Sequence, residues 1–134
     1  MSKRVCAVII KDNKILLMRR IKEGQEYFVF PGGGIEGNES VEDAIIREVK
    51  EELSLDAKID KLLFEMENRG QEESYFLIKE FSGIPELSGP EKERMNENNQ
   101  YYPIWLDLNK ASDLPNLYPE EARRKIKELF IENK

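Results

Sequence analysis

Residues 32–55 read GGGIEGNESVEDAIIREVKEELSL, and this stretch contains the strongest structural signal in the chain. Ser40 is a residue type that caps helix N-termini, and Asp43 follows it at the spacing of a capping box. After it, apolar residues recur at helical spacing: Ile45, Ile46, Val49 and Leu53. We therefore predict an α-helix from Val41 to Leu53 that packs one apolar face against the rest of the protein.

Three carboxylates lie on one side of this predicted helix. At about 100° per residue, Glu51 lies roughly 60° and Glu52 roughly 40° from Glu48, on either side of it. Like charges at these spacings repel one another, so the cluster favours a bound cation. Because glutamate is also a good helix former, a solvated acidic face is the simpler alternative when the helix is considered alone.

The glycine run before the helix favours the cation site. Residues 26–30 form an apolar-rich predicted strand, which Pro31 and the run Gly32–Gly34 bring to an end. Glycine allows the backbone to approach a ligand closely, although a tight turn would also explain the run. Together, the glycine run and the nearby carboxylates predict a site that holds a cation and an anionic ligand.

The composition indicates one globular domain spanning residues 1–134. Hydrophobic residues make up 40% of the chain, a fraction that argues against disorder. The chain contains no apolar run long enough to cross a membrane, and its N-terminus lacks the apolar stretch of a signal peptide. Its one cysteine, Cys6, has no partner for a disulfide, so we expect a cytoplasmic protein without a membrane partner.

Histidine is absent from the sequence, which excludes Ser-His-Asp and Cys-His mechanisms and argues against a zinc site. A metal would have to be bound by oxygen atoms, which favours Mg²⁺, Mn²⁺ or Ca²⁺. The formal net charge of −6 argues against a nucleic-acid scaffold as a partner, because such binding depends mainly on basic residues. A small anionic substrate is compatible with this charge, since cations can bridge it to acidic residues.

Strands are predicted on both sides of the helix. The apolar-rich runs that indicate them cover residues 5–10, 14–18, 26–30, 59–66, 74–81 and 102–108, with a hairpin between the first two. Residues 82–100 are polar and predict a long surface loop. Pro119 opens a second predicted helix, whose apolar face consists of Ala122, Ile126, Leu129 and Phe130. This order of elements predicts an α/β fold with helices packed against a mixed sheet.

Residues 33–55 resemble the Nudix box of the Nudix (MutT-like) hydrolases, G-x5-E-x7-R-E-U-x-E-E-x-G-U, where U is a bulky aliphatic residue. The matching positions are Gly33, Glu39, Arg47, Glu48, Val49, Glu51, Glu52 and Leu55. At the remaining position, Ser54 replaces a glycine that suits a left-handed helix C-cap. Either a serine in that conformation costs on the order of 1 kcal/mol, or the helix ends differently, and the departure is expected to affect stability more than catalysis. The resemblance implies the family's α/β/α sandwich over the whole chain.

The resemblance also implies roles for individual residues. The carboxylates that would bind Mg²⁺, with Mn²⁺ as the alternative, are Glu48, Glu51 and Glu52. The carbonyl of Gly32 would be a further ligand, and Glu39 with Arg47 would form a pair that orients the loop and the helix. The implied activity is hydrolysis of a pyrophosphate bond in a normal or oxidised nucleoside triphosphate, a nucleotide sugar or a dinucleotide.

The general base and the substrate contacts have several candidates. The base would be Glu52 or an acid of the late polar loop: Glu91, Glu93 or Glu97. The residues that we expect to contact the substrate are Gly33, Gly34, Arg19 and Arg20, although a surface pair would also explain the two arginines. The resemblance allows a homodimer. A non-catalytic nucleotide-binding regulatory domain on the same fold is the alternative to an enzyme.

Overall fold

The computed structural model describes residues 2–86, 92 and 95–132. The strands are β1 (Ser2–Val8), β2 (Ile10–Lys11), β3 (Lys14–Lys22), β4 (Gln25–Val29), β5 (Gly32–Gly34), β6 (Asp56–Asn68), β7 (Gln71–Ser82), β8 (Asn99–Asp107) and β9 (Leu117–Tyr118). The helices are α1 (Val41–Leu53), α2 (Leu108–Ser112) and α3 (Glu120–Lys127), which continues into a π-helical turn, Glu128–Glu132. Among the described residues, no helix is both long and apolar enough to cross a bilayer.

The strands form two sheets that both contain parallel and antiparallel pairs. In the four-stranded sheet the order is β5-β1-β7-β6, and β1 and β7 are parallel. In the second sheet the order is β2-β3-β4-β9, with β4 and β9 parallel, and β8 pairs along the full length of β3. The predicted α/β fold with mixed pairing is confirmed, but the strands divide between two sheets instead of forming one.

The apolar runs of β1 and β3 are buried on both faces, which places the sheets between two helical layers. In β1, Val5 and Ala7 belong to the core that includes the apolar face of α1, whereas Cys6 and Val8 belong to the core that includes α3. Because side chains alternate between the faces of a strand, a continuous apolar run suits a strand that is covered on both sides. The result is the predicted α/β/α sandwich.

Helix α1 has the bounds and the N-cap that the sequence predicts. Ser40 Oγ accepts a hydrogen bond from the backbone N–H of Asp43 at 3.1 Å. At the other end, Ser54 adopts the left-handed conformation with φ 60°, and its N–H donates to the carbonyl of Lys50 at 3.0 Å. The apolar face is buried except for Ile46, which is 41% exposed because it lies beside the buried stripe.

Several strand bounds differ from the prediction. Gly32–Gly34 forms a short strand paired with β1 rather than a loop. The first strand begins at Ser2, and the predicted hairpin is confirmed between β2 and β3, with positive φ at Asp12 and Asn13. Strands β6 and β7 extend beyond the predicted runs. In β6, charged residues at exposed positions near both ends interrupt the apolar run from which a strand is predicted.

The C-terminal helix is shorter than its apolar pattern predicted. Pro119 precedes its first residue, and Ala122 and Ile126 are buried. After Lys127 the π-helical turn changes the period of the chain, so Leu129 turns outward and is 40% exposed. The sequence did not predict α2 or β9, because elements of five and two residues are too short to show a hydrophobic period.

We predict that Ser40→Ala lowers the free energy of unfolding by about 1 kcal/mol, because the N–H of Asp43 loses its capping partner. Urea denaturation followed by circular dichroism measures this change. Ser40→Asp retains a capping oxygen and is the matched control, with stability close to wild type. If Ser40→Ala unfolded at the wild-type urea midpoint, the cap would make no contribution to stability.

Candidate active site

A cavity of about 970 Å³ is lined by residues of both sheets and of α1. Its volume lies within the range of small-molecule binding sites. The predicted site residues that line it are Gly32, Gly33, Gly34, Glu48, Glu51, Glu52 and Arg20. The structure therefore brings together Arg20, the glycine strand β5 and the acidic cluster of α1, which consists of Glu48, Glu51 and Glu52.

The three carboxylates of α1 occupy different environments. Glu52 is buried, Glu48 is half-buried and Glu51 is exposed. The hydroxyl of Tyr101 donates a hydrogen bond to Glu52 Oε1 at 3.4 Å. Burial disfavours a charged carboxylate, so it raises the pKa of Glu48 above its usual value despite the contact of this residue with Arg47.

Arg47 connects the acidic cluster to the segment before the helix. Its Nη2 donates to Glu39 Oε1 at 2.6 Å and to the carbonyl of Gly34 at 2.9 Å. Its Nη1 donates to Glu48 Oε1 at 2.8 Å and to Glu51 Oε2 at 3.2 Å. The sequence anticipated the contact with Glu39. The contacts with two of the carboxylates are additional, and they offset part of the repulsion within the cluster.

The pair of Glu39 and Arg47 perturbs the pKa of both groups. Hydrogen bonds from Arg47 lower the pKa of Glu39, and the same bonds raise the pKa of Arg47. The backbone N–H of Glu36 also donates to Glu39 Oε1 at 2.9 Å. Both side chains are therefore charged at neutral pH, and their pairing ties the loop before the helix to α1.

Two of the glycines are required by close approaches within the protein. A Cβ on Gly32 would overlap the backbone carbonyl of Val5, and a Cβ on Gly33 would overlap the carboxylate of Glu48. Gly34 lines the cavity and accepts the hydrogen bond from Arg47 through its carbonyl. The glycines therefore allow β5 to lie against both β1 and the acidic cluster.

The carboxylates of α1 fit a hard divalent cation in their chemistry. They reach the same cavity and supply only oxygen ligands, which Mg²⁺ prefers. In the part of the chain that the structure describes, no three acidic, cysteine or histidine side chains are close enough together to hold a cation as they stand. Since Arg47 contacts both Glu48 and Glu51, a cation would require these two carboxylates to turn away from it.

The two neighbouring arginines of β3 point in different directions. Arg20 lines the cavity, and its guanidinium lies 5.5 Å from the ring centre of Tyr101. Its Nε is buried and has no hydrogen-bond partner among the described residues. Arg19 instead pairs with Glu26 and Tyr102. Because side chains alternate along a strand, the structure brings Arg20 to the cavity and directs Arg19 elsewhere.

The two candidate general bases that the structure describes, Glu52 and Glu97, lie in different places. Glu52 lines the cavity. Glu97 lies in an exposed turn between Asn96 and Asn99, and it is absent from the described residues that line the cavity. Glu91 and Glu93 lie outside the described residues.

Part of the cavity wall comes from residues that belong to no recognisable motif. They include Arg4, Asn68, Glu73 and Tyr118. One signal in the sequence points to Glu73, which precedes Tyr75 by two residues and so shares a strand face with a buried aromatic residue. The signal identifies Glu73 as a site residue only once it is known that this face of β7 lines the cavity.

The family model of the NUDIX domain matches residues 1–129. The chain belongs to the Nudix family. An ADP-ribose pyrophosphatase from Methanocaldococcus jannaschii is 47% identical to this Nudix chain over 60 residues, which are 44% of this chain and 36% of the relative. An RNA pyrophosphohydrolase from Teredinibacter turnerae is 31% identical over 147 aligned positions, which cover 91% of this chain and 81% of the relative.

The fold of this Nudix protein also agrees with a solved structure. The solution structure of the E. coli ORF135 protein matches it with a TM-score of 0.75 and 25% sequence identity. The match covers 98% of this chain and 92% of that protein. The Nudix fold is therefore similar over nearly the whole length of both chains.

We predict that Glu39 stabilises the protein at neutral pH and loses this effect in acid. Its pKa is lower in the folded protein than the usual value of 4.5, so its stabilisation is complete above pH 4.5 and disappears as the pH falls through the folded pKa. Urea denaturation of wild type and Glu39→Gln at several pH values measures the difference. The variant should be the less stable protein at pH 7, with a difference that shrinks below pH 4.5.

Glu67→Gln, at an exposed position of β6, reports the background effect of removing one carboxylate. A stability difference between wild type and Glu39→Gln that stayed constant from neutral to acidic pH would contradict a charged pair with Arg47.

Proposed function

We propose that this protein hydrolyses a pyrophosphate bond in a nucleoside diphosphate linked to another group, in a reaction that depends on Mg²⁺. The substrate class comprises normal or oxidised nucleoside triphosphates, nucleotide sugars and dinucleotides. The observation that carries the proposal is that the carboxylates of α1, the glycine strand and Arg20 all line the same cavity. The names of the relatives support the bond type, since a pyrophosphatase and a pyrophosphohydrolase both cleave a pyrophosphate.

The acidic cluster would hold the metal. Nudix hydrolases generally use divalent metal ions. In this chain the ligands would be Glu48, Glu51 and Glu52, with the carbonyl of Gly32 as a further oxygen. Bound there, Mg²⁺ would neutralise charge on the phosphate oxygens and lower the pKa of an attacking water molecule. Mn²⁺ accepts the same oxygen ligands and is the alternative.

Arg47 and Glu39 would act as positioning residues. The bonds from Arg47 Nη2 to Glu39 and to the carbonyl of Gly34 do not involve the acidic cluster. They can therefore persist when Glu48 and Glu51 turn toward a cation. The loop and the helix would then keep their relative position while the carboxylates exchange partners.

Arg20 would contact the phosphate groups. A guanidinium binds phosphate oxygens through strong charge-assisted hydrogen bonds, and the buried Nε of Arg20 has no such bond among the described residues. The ring of Tyr101 beneath the guanidinium helps to fix its orientation. Of the two candidate bases that the structure describes, Glu52 is the better placed, because it lines the cavity and Glu97 does not.

We predict Mg²⁺-dependent turnover in a screen of nucleoside triphosphates, oxidised purine triphosphates, ADP-ribose, nucleotide sugars and dinucleoside polyphosphates. Glu51→Gln should lower kcat/KM by at least ~100-fold, because a lost metal ligand removes several kcal/mol of charge stabilisation. Phosphate release and product analysis by chromatography provide the readout. Excess chelator should abolish turnover of the wild-type protein.

Glu42→Gln is the matched control, since Glu42 is an exposed acid in the first turn of the same helix. It should retain wild-type activity. Folded protein that bound nucleotides but hydrolysed none of these compounds would favour the non-catalytic regulatory domain. Turnover that survived both the chelator and Glu51→Gln would contradict the proposed metal site.

We predict that Arg20→Met raises KM by ~10-fold or more, because the substrate phosphates lose a charged donor. Methionine retains an apolar stem against Tyr101, so the packing at this position changes little. Arg19→Met removes the neighbouring charge on the opposite face of β3 and is the matched control. Steady-state kinetics with the best substrate of the screen measures both variants. Equal effects of the two substitutions would argue against a specific contact of Arg20 with the substrate.

A further inference from the structure

One buried carboxylate lines the cavity but does not belong to α1, which we call the acidic helix. Glu73 of β7 is 5% exposed and lines the same cavity as the glycine strand. The hydroxyl of Tyr75 donates to its Oε1 at 2.9 Å, and Asn68 Nδ2 donates to its Oε2 at 3.3 Å. Arg4 Nε lies 3.8 Å from the same Oε2. These four residues form a polar cluster, which we call the Glu73 cluster, and all of them line the cavity.

The Glu73 cluster is not needed to hold β1 and β7 together. Burial disfavours a charged carboxylate, and a buried ion pair is often no more stabilising than apolar residues of similar volume. Arg4 faces Glu73 across the parallel pair of β1 and β7, so apolar residues would serve the packing at these two positions equally well. A charged pair that faces a cavity is better explained by a ligand.

The cluster retains capacity to bind a ligand. A carboxylate offers about four acceptor positions, and Glu73 receives two hydrogen bonds within the described residues. Arg4 is about one-third exposed, and its Nε is the atom nearest to Glu73. Burial holds the pKa of Tyr75 far above its usual range, so its hydroxyl remains protonated and donates to Glu73.

Within the four-stranded sheet, Glu73 lies two strands away from the glycine strand, and Arg4 lies on the strand between them. Arg4 of β1 pairs with Gly34 on one side and with Glu73 on the other. With neighbouring strands roughly 4.8 Å apart, the backbone of Glu73 lies roughly 10 Å across the sheet from the glycine strand. A nucleotide whose phosphates lie at the glycine strand would therefore present its base to the cluster.

The hydrogen-bonding groups of the Glu73 cluster suit one type of nucleobase better than the others. A carboxylate accepts two neighbouring N–H groups, and a guanidinium beside it donates to a carbonyl oxygen. Guanine presents this pattern along one edge, where the ring N1–H and the 2-amino group are donors and O6 is an acceptor. Adenine and cytosine present a single amino group beside ring acceptors, and uracil presents one N–H between two carbonyls.

We propose that Glu73 and Arg4 determine the base specificity of this protein and recognise a guanine-type base, with Glu73 accepting from N1–H and the 2-amino group while Arg4 donates to O6. The inference rests on the proposed function, since it takes the substrate to be a nucleotide. It assigns the two ends of one cavity to different tasks, with the acidic helix at the phosphates and the Glu73 cluster at the base.

The test is a binding series with nucleoside monophosphates, measured by calorimetry in the presence of EDTA. GMP and IMP differ only in the 2-amino group, so the wild-type protein should bind GMP ~5-fold to ~100-fold more tightly than IMP. AMP, CMP and UMP should bind more weakly than GMP. Equal affinity for GMP and IMP, tighter binding of another base, or no binding of any monophosphate would overturn the proposal.

Variants separate recognition from a structural role. In Glu73→Gln the ratio of GMP to IMP affinity should fall by at least ~5-fold, because a charged acceptor is replaced by an amide. Arg4→Gln should weaken GMP and IMP by the same factor, since both carry O6. Glu72→Gln is the matched control, because Glu72 is exposed and alternates to the opposite face of β7. An unchanged affinity ratio in folded Glu73→Gln contradicts the proposal.

The outcome does not depend on turnover. Binding in EDTA needs neither the catalytic metal nor hydrolysis, so a failure of the activity screen and a failure of base recognition would be separate results. If Glu73→Gln does not fold, the GMP and IMP affinities of the wild type and of Arg4→Gln still decide the question.

Discussion

The guanidinium of Arg47 holds together the segments on which the site depends. One nitrogen binds the loop carboxylate of Glu39 and the carbonyl of Gly34, and another binds Glu48 and Glu51 of its own helix. A planar fork of donors can make these contacts at once, whereas the point charge of a lysine could not. Without this positive charge, three carboxylates at spacings of three and four residues would repel one another and destabilise the helix that presents them.

The contacts of Arg47 with Glu48 and Glu51 would compete with the binding of a cation by these carboxylates. Glu48 is half-buried beside the backbone of Gly33, so its charged form is disfavoured and its pKa is raised. Arg47 offsets part of this cost, and a divalent cation would offset it more fully. Because Arg47 is also anchored by Glu39, exchange of partners requires rotation of short carboxylate side chains rather than movement of the loop.

The parts of the structure that were predictable from the sequence are those that depend on neighbouring residues. The caps and the apolar period of α1 are local, and they gave its bounds correctly. The pairing of β5 with β1 involves residues distant in sequence, so the glycine run was predicted as a loop. Arg19 and Arg20 could not be distinguished, because the strand's inward face is set by its pairing partners. Glu73 was missed for the same reason.

This difference between local and distant determinants also separates the two tasks that we propose for the cavity. The wall that carries the carboxylates comes from one continuous segment, so its pattern can be recognised by sequence. The wall around Glu73 is assembled from β1, β6 and β7, and β1 is distant in sequence from the other two strands, so no single segment predicts this wall. We therefore expect similarity within the Nudix box to indicate the type of reaction, and the proposed recognition of a base to depend on residues that lie outside the box.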